Sequence, residues 1–321
     1  MNVKNILIFG AAGQIGSYLW DFLCRDNNYK LFGHVRSRPN EYRGYHGANI
    51  YSCELTQTNI HELIQHIRPD YIFNFVSQSS VSKCTDLKST IENNTLITGY
   101  ILEAVSKCVP FCRILNAGSE LETHNNNLYA LSKSLAFQLI SYYRNVHGIF
   151  AVQPIIFTNT SPRQKPHFFI PKIIQGAVNI KKSLLSHSPI ICTMVGNIYL
   201  NYSWGHASDI AMACWKLLNL SKPQNLYLSG QQNYSGVQII SKVFDKLYID
   251  YKLTSEGFST PTNEPLVLID QTFIRPNEKE RICNQYSFEV TCKLLNWKPI
   301  FNIDTILQSM IDSYYGQSSK N

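Results

Sequence analysis

The sequence predicts an α/β protein: a doubly wound parallel sheet with a smaller mixed α/β domain toward the C-terminus. Three observations carry that expectation. Over the first 150 residues, short apolar runs alternate with amphipathic helical patterns, the order that yields parallel strands joined by crossover helices. The first apolar run leads straight into a glycine turn, "GAAGQIG", as at the start of a Rossmann-type sheet. Beyond "TNTSPRQKP" the alternation fades, and prolines at 171, 189, 261, 265, 276 and 299 cut the chain into short pieces.

"NILIFG" (5–10) is a buried strand and "IGSYLWDFLCR" the helix that follows it. "YKLFGHV" (29–35) and "ANIYSCEL" (48–55) carry the second and third strands, and "IHELIQHI" (60–67) a helix. "DYIFNFV" (70–76) is the fourth strand, "TIENNTLITGYILEAVSKC" one long helix, and "CRILNAG" (112–118) the fifth strand. A helix over 128–147 and a strand "FAVQPIIF" (150–157) complete this series. "HASDIAMACWKLLNL" (206–220) and "NLYLSG" (225–230) add one more helix and strand of the same kind. We therefore expect residues 1–165, with 204–230 returning to them, to form a nucleotide-binding domain. Residues 166–203 and 231–321 would form the second, substrate-binding domain.

Composition excludes several classes. A chain of 321 residues, 44% hydrophobic and 16% charged, is that of a globular protein with a sizeable core. The net charge of +7 suits anionic ligands, but Lys and Arg are scattered, with no block beyond Lys181–Lys182. Nucleic acid is not an expected partner. Nine cysteines lack regular spacing, and no second pair answers Cys108 and Cys112, so neither a zinc site nor a disulfide framework is expected. His61 and His66 in "HELIQH" are five apart and face differently on a helix. The N-terminal apolar run is too short for a signal peptide, and no run approaches the ~18 apolar residues of a membrane span. The expected location is the cytoplasm, without a metal and without a membrane.

The glycine turn has the spacing GxxGxxG. Gly10 permits the tight turn, Gly13 lets backbone approach a pyrophosphate, and Gly16 lets the helix pack close to the strand. Gln14 and Ile15, which open that helix, join them as expected cofactor contacts. Where an NAD site usually shows an acidic residue, after the second strand, Arg36 and Arg38 stand, and no acid follows until Glu41. Guanidinium groups suit a 2′-phosphate, so NADP rather than NAD is the expected cofactor.

Tyr129 and Lys133 form YxxxK on a helix, which puts the ammonium near the phenol on one face. A free phenol titrates near ~10, and a neighbouring cation lowers that value. Ser119, at the end of the fifth strand, is placed to donate to the same substrate oxygen.

With these marks the chain resembles the extended short-chain dehydrogenase/reductases, and within them the GDP-mannose 4,6-dehydratases, over nearly its whole length. The resemblance rests on "GAAGQIGSYL", "FNFVSQSSV", "YALSK", "PIIFTNTSPR" running into "FIPKII", "VGN", "WGHASDIAMACW", "IRPNE" and "LLNWKP". It implies Ser119, Glu120, Tyr129 and Lys133 as catalytic residues. It further implies Asn74 and Ser77 near the nicotinamide, Lys133 also on the cofactor, and Gln78, Arg163, Asn197, Arg275 and Glu278 on a nucleotide-sugar substrate. In the implied reaction Tyr129 takes the proton of the sugar 4-hydroxyl as hydride leaves C4. A carboxylate then removes the C5 proton and helps the C6 hydroxyl depart as water, and hydride returns to C6. Long helices such as 90–107 and 128–147 pair between subunits in this superfamily, which implies a homodimer. Their apolar residues Leu96, Tyr100, Leu135, Leu139 and Tyr142 would also serve packing within one domain.

The chain departs from the family at three places. Only nine residues separate Ser119 from Tyr129, so most of a long substrate loop is absent. Aligning on "RIL" makes Ser119 the hydroxyl and Leu121 the position of the working glutamate; aligning on "SEL" makes Glu120 the carboxylate but Gly118 the hydroxyl position. Glu120 and Glu122 both stay open as the C5 base. Tyr202 precedes "SWGHA" where an arginine is usual, and Gln164 follows "SPR" where a second is common. His206 is either structural or on the nucleotide side. The expected function is an NADP-dependent nucleotide-sugar 4,6-dehydratase (a lyase) on GDP-mannose or a related GDP-sugar. The alternative is a 4-keto reductase, 4-dehydrogenase or epimerase that lacks the dehydration step. A third reading, a weak homologue acting as sensor or partner subunit, sits poorly with the intact YxxxK.

Overall fold

Alternation along the first strand shows how the sheet is covered. In the computed structural model, which describes residues 3–36, 49–124, 126–275 and 278–318, "KNILIF" forms β1 (Lys4–Phe9). Successive strand side chains point to opposite faces. Ile6 and Ile8 enter one apolar cluster, Leu7 and Phe9 another. An unbroken apolar run is what a strand covered on both faces requires.

The chain forms two compact units: Met1–Phe157, Ala207–Leu228 and Asn284–Lys298 make the first, and Thr158–His206, Ser229–Cys283 and Pro299–Asn321 the second. In the first, β1 is followed by α1 (Gln14–Leu23), β2 (Tyr29–His34), β3 (Asn49–Tyr51), α2 (Gln57–Ile67) and β4 (Tyr71–Asn74). Then come α3 (Leu87–Ile91), α4 (Ile97–Cys108), β5 (Arg113–Asn116), α5 (Leu128–His147), β6 (Ala151–Val152) and β7 (Ile155–Ile156). The strand order β3-β2-β1-β4-β5-β6, parallel at every pairing, is that of a Rossmann sheet. Ligands of such sheets lie beyond the carboxyl ends of the strands, where the order reverses. Here that point falls between β1 and β4. Phe9 pairs with Asn74 and Asn74 with Asn116, so the chain leaves β1, β4 and β5 at one level.

In the second unit, β8 (Asn159–Thr160) pairs with β11 (Gly205–His206), and β10 (Asn201–Ser203) with β13 (Asn233–Ser235). A four-stranded sheet joins β9 (Thr193–Val195), β14 (Lys252–Thr254), β15 (Gly257–Ser259) and β16 (Pro265–Ile269) in the order β14-β15-β16-β9. Helices α6 (Phe169–Ser186), α8 (Gly236–Lys246) and α10 (Ile303–Ser318) share one core that includes Ile173, Ile174, Phe244, Phe258, Ile306 and Leu307.

Four features differ from expectation. The expected helix over 90–108 contains a π-helical turn, Glu92–Leu96, between α3 and α4, where Asn94 and Thr95 are buried. The third strand spans only three residues. "FAVQPIIF" divides at Pro154, which has no N–H for a ladder: β6 pairs with β5, while β7 pairs with β12 (Tyr227–Leu228). Gln153 N–H between them is taken by Asn225 Oδ1 at 2.9 Å. Finally, 284–298, expected with the second domain, packs in the first unit. There α9 (Gln285–Leu295) brings Leu295, followed by Trp297, into the cluster shared with α1 and with α7 (Ala207–Leu218). Lys216 Nζ also donates to Asn296 O at 2.9 Å.

Deleting that anchor gives a test. Trp297→Ala should cost about 3–5 kcal/mol, the usual loss for a buried large aromatic, read as a lower urea midpoint. Tyr286→Ala, at a side chain 77% exposed on the same segment, should stay within about 0.5 kcal/mol.

Candidate active site

Beyond β5 the chain passes Ala117 and Gly118 and then closes a turn in four residues. Ser119 is extended (φ −151°, ψ 146°) and caps a short 3-10 helix, Glu120–Thr123. Its Oγ accepts the Leu121 N–H at 3.3 Å, and Glu122 Oε2 reaches back to accept the Ser119 N–H at 3.1 Å. This reciprocal pair is a capping box. It buries both glutamates. The Ser119 hydroxyl donates to Glu120 Oε2 at 3.3 Å.

Gly118 explains why the hydroxyl belongs to Ser119 in this geometry. A Cβ at 118 would lie 2.4 Å from Pro154 O and 2.9 Å from Glu122 Oε2, so no side chain fits there. With no side chain at 118, the hydroxyl of this turn is that of Ser119, and the Glu120 carboxylate is its neighbour.

Asn127 caps α5, its Oδ1 accepting the Ala130 N–H at 2.9 Å. Tyr129 and Ala130 pack with Leu121 and Cys84 in a small apolar cluster, which seats the 3-10 turn against α5. Lys133, one helical turn after Tyr129, is buried, donates to Ala117 O at 2.9 Å and lies 5.9 Å from the Tyr129 ring centre. Burial lowers the Lys133 ammonium to about 8, with the Glu122 charge opposing. Burial also raises the Glu122 carboxyl to about 7, against the pull of the Ser119 N–H, Gln153 and Lys133.

Sequence reasoning named Asn74 but missed Asn116, Gln153 and Asn94, the polar groups that hold this arrangement with it. Asn74 donates to Asn116 Oδ1 at 2.8 Å, Asn116 to Gln153 Oε1 at 2.7 Å, and Gln153 Nε2 to Glu122 Oε2 at 2.8 Å and to Lys133 O at 2.9 Å. Asn74 is therefore buried within a network that crosses three strand ends. Asn94, in the π turn, accepts the Gln78 N–H at 2.7 Å and donates to Ser132 Oγ at 3.0 Å. It thereby ties the loop after β4, which carries Ser77 and Gln78, to the Tyr129 helix. The available signal was the polar "ENNT" inside an otherwise apolar helical run.

The glycine turn suits a dinucleotide. Gly10 takes a left-handed conformation (φ +76°), and a Cβ at Gly16 would meet Gly10 O at 2.3 Å. Gly13, the N-cap of helix α1, offers no side-chain cap, and no acid stands in the first turn, leaving the N-terminal dipole to favour an anion. The Gln14 side-chain nitrogen is buried there with no hydrogen-bond partner. Ile15 follows, half-buried, and Arg36 is exposed after β2. Arg38 and Glu41 lie outside the described residues.

The remaining predicted residues lie in the second unit. Arg163 is exposed; Gln164 is engaged by Thr160 Oγ1 at 2.6 Å and donates to Asn159 O at 3.2 Å. Asn197 Oδ1 accepts the Tyr199 N–H at 2.9 Å. Glu278 accepts from Arg275 at 3.4 Å and from Arg281 at 3.3 Å. His206 is buried against Phe301, ring centres 4.1 Å apart, and burial with the nearby Arg163 charge lowers it to about 4. A neutral packed ring is the structural one of its two readings.

A family model described as GDP-mannose 4,6 dehydratase matches residues 7–310. The chain is 25% identical to a GDP-mannose 4,6 dehydratase of Dictyostelium discoideum, over 96% of this chain and 95% of that one. It is 27% identical to the Homo sapiens GDP-mannose 4,6 dehydratase, over 95% and 90%. The fold is shared with a dTDP-glucose 4,6-dehydratase from Bacillus anthracis, solved in complex with NAD (TM-score 0.78, 16% identity, 98% of each chain).

Titration of Glu122 gives a test. Its folded value, about 7 against an ordinary 4.5, means that the native state binds this proton more tightly than the unfolded chain does. That stabilisation is complete below pH 4.5 and is lost as pH rises through 7. Lys133, lowered from 10.5 to about 8, acts in a separate window: its burial cost is relieved only as pH rises from 8 to 10.5. Between pH 4.5 and 7 the wild type should lose on the order of 2–3 kcal/mol more stability than Glu122→Gln, measured by urea denaturation. Parallel pH profiles would contradict the assignment.

Proposed function

The chain belongs to the GDP-mannose 4,6-dehydratase family, and from that premise we propose that it is an NADP-dependent nucleotide-sugar 4,6-dehydratase acting on GDP-mannose or a close GDP-sugar. The observation that carries this reading is the Ser119 hydroxyl donating to the buried Glu120 carboxylate, on a turn packed against Tyr129. A reductase or epimerase needs the hydroxyl, the tyrosine and the lysine; only a dehydratase needs a carboxylate beside them.

In this reading Tyr129 removes the proton of the sugar 4-hydroxyl, helped by the Lys133 charge close to its ring. Ser119 holds the same sugar oxygen. The chemistry that a bound nicotinamide dinucleotide supplies is reversible hydride transfer, taken from C4 and given back at C6. The 4-ketone acidifies C5, and Glu120 carries the C5 proton to the departing C6 hydroxyl, so that water leaves. As hydride is given back at C6, C5 takes up a proton from solvent, and there is no net redox change. Glu122, tied by Ser119 and Gln153, positions the turn. Gly10, Gly13, Gln14, Ile15 and Gly16 would hold the dinucleotide, with Asn74, Ser77 and Lys133 toward the nicotinamide. Arg36 supports NADP, because its fork suits a 2′-phosphate. Gln78, Arg163, Asn197, Arg275 and Glu278 would contact the nucleotide sugar. Among the described residues no helix is long and apolar enough to cross a membrane, in keeping with a cytoplasmic enzyme. Leu131, Tyr142 and Val146, exposed on α5, support a homodimer through that helix.

The rival reading, a 4-keto reductase or epimerase, draws on the short turn, and Glu120→Gln separates the two. With GDP-mannose and NADP, the wild type should form a product lighter by one water. Glu120→Gln should cut that product by at least about a hundredfold while still generating NADPH absorbance, because Tyr129 and Lys133 remain. A wild type that yields no dehydrated product but reduces a supplied 4-keto sugar would establish the rival. For the dimer, light scattering should give twice the chain mass, and Val146→Glu should reduce it to one.

A further inference from the structure

Arg281 lies beside Tyr202, the position at which the family resemblance implies an arginine. After Glu278 the chain runs beside β10. Arg281 N–H donates to Asn201 O at 3.0 Å and Ser203 N–H to Arg281 O at 2.8 Å, so Tyr202 and Arg281 form a parallel bridge. Cys283 N–H adds a bond to Ser203 Oγ at 2.8 Å. The register is thus fixed by backbone, and it sets the Arg281 guanidinium 5.2 Å from the Tyr202 ring centre. Arg281 and Glu278 are largely buried, with side chains 15% and 13% exposed, whereas Arg275 is 42% exposed. One carboxylate lies between two guanidiniums, so the trio carries a net charge of +1. Tyr202 remains a neutral phenol, pushed up by burial and by the Glu278 charge, and adds no negative charge.

We propose that Arg281 is the phosphate-binding cation of the substrate site, supplying the guanidinium that position 202 lacks, with Tyr202 as its stacking platform and Glu278 as the group that orients both arginines. The ligand chemistry is the diphosphate of a nucleoside diphosphate sugar, matched by the planar fork of arginine. This rests on the reading that the second unit takes a nucleotide sugar. It goes beyond that reading by naming a residue of this chain that the expected substrate set omitted. A purely structural bolt between β10 and the segment of Arg281 would not require a charged residue at 281, because the backbone already sets the register.

Calorimetric titration of the full chain with GDP, UDP, dTDP and guanosine tests this. Arg281→Ala should weaken GDP binding by at least about tenfold, with guanosine and NADP affinities unchanged. Arg281→Lys, which preserves charge and packing, should fall between the two. Tyr202→Arg introduced into the Arg281→Ala background should recover most of the loss. Wild-type GDP affinity in Arg281→Ala, or equal weakening toward GDP and guanosine, would overturn the proposal. If the wild type prefers UDP or dTDP and Arg281→Ala loses that ligand, the GDP reading falls while the assignment of Arg281 stands. If the wild type binds no nucleoside diphosphate, both fall.

Discussion

The hydrogen bond from the Ser119 N–H to the Glu122 carboxylate is the constraint on which the catalytic end of the molecule depends. It closes the turn after β5 within four residues. That closure points the Ser119 hydroxyl at Glu120 and seats Leu121 against Tyr129. Taking two carboxylates out of water is costly unless each is protonated or well bonded. Glu122 is eased in both ways: Gln153 and Ser119 donate to it, and its carboxyl titrates only near neutral pH. A compact turn thus holds two buried carboxylates beside Tyr129.

Beneath that turn a polar chain crosses the sheet. Asn74 at the end of β4, Asn116 at the end of β5 and Gln153 after β6 are joined in sequence, and Gln153 reaches Glu122 and the backbone of Lys133. Such buried networks are worth most when every member is satisfied. Because the strands end in register, the network sets the height of the turn relative to the glycine loop after β1. The π turn does similar work from the helical side, where Asn94 and Thr95 grip Ser132. Sheet and helix therefore hold Tyr129 and Lys133 from two directions.

Much of this was legible in the residues themselves. Uninterrupted apolar runs announced strands covered on both faces, and Gly10, Gly13 and Gly16 announced the turn between β1 and α1. The i, i+4 spacing of Tyr129 and Lys133 placed them on one helical face. What stayed hidden depends on partners far away in the chain. Gln153 lies 31 residues from Glu122, and Asn94 lies 38 from Ser132. No local pattern pairs them. Trp297 reads as part of a loose C-terminal region until its burial with α1 and α7 is seen. Arg281 looks like one more surface charge until the backbone bridge to Tyr202 is known. The Cβ clash at Gly118 and the direction of the Ser119 hydroxyl, which bear on the proposal of Glu120 over Glu122, are likewise three-dimensional facts.

The central claim is that a four-residue turn carries out the proton transfer at C5 that a dehydratase requires. Proton NMR of the sugar after incubation with GDP-mannose and NADP in deuterated water tests it most directly. A 4-keto-6-deoxy product bearing deuterium at C5 is the predicted result. A sugar recovered unchanged, or one altered at C4 with its C5 hydrogen intact, would contradict the account.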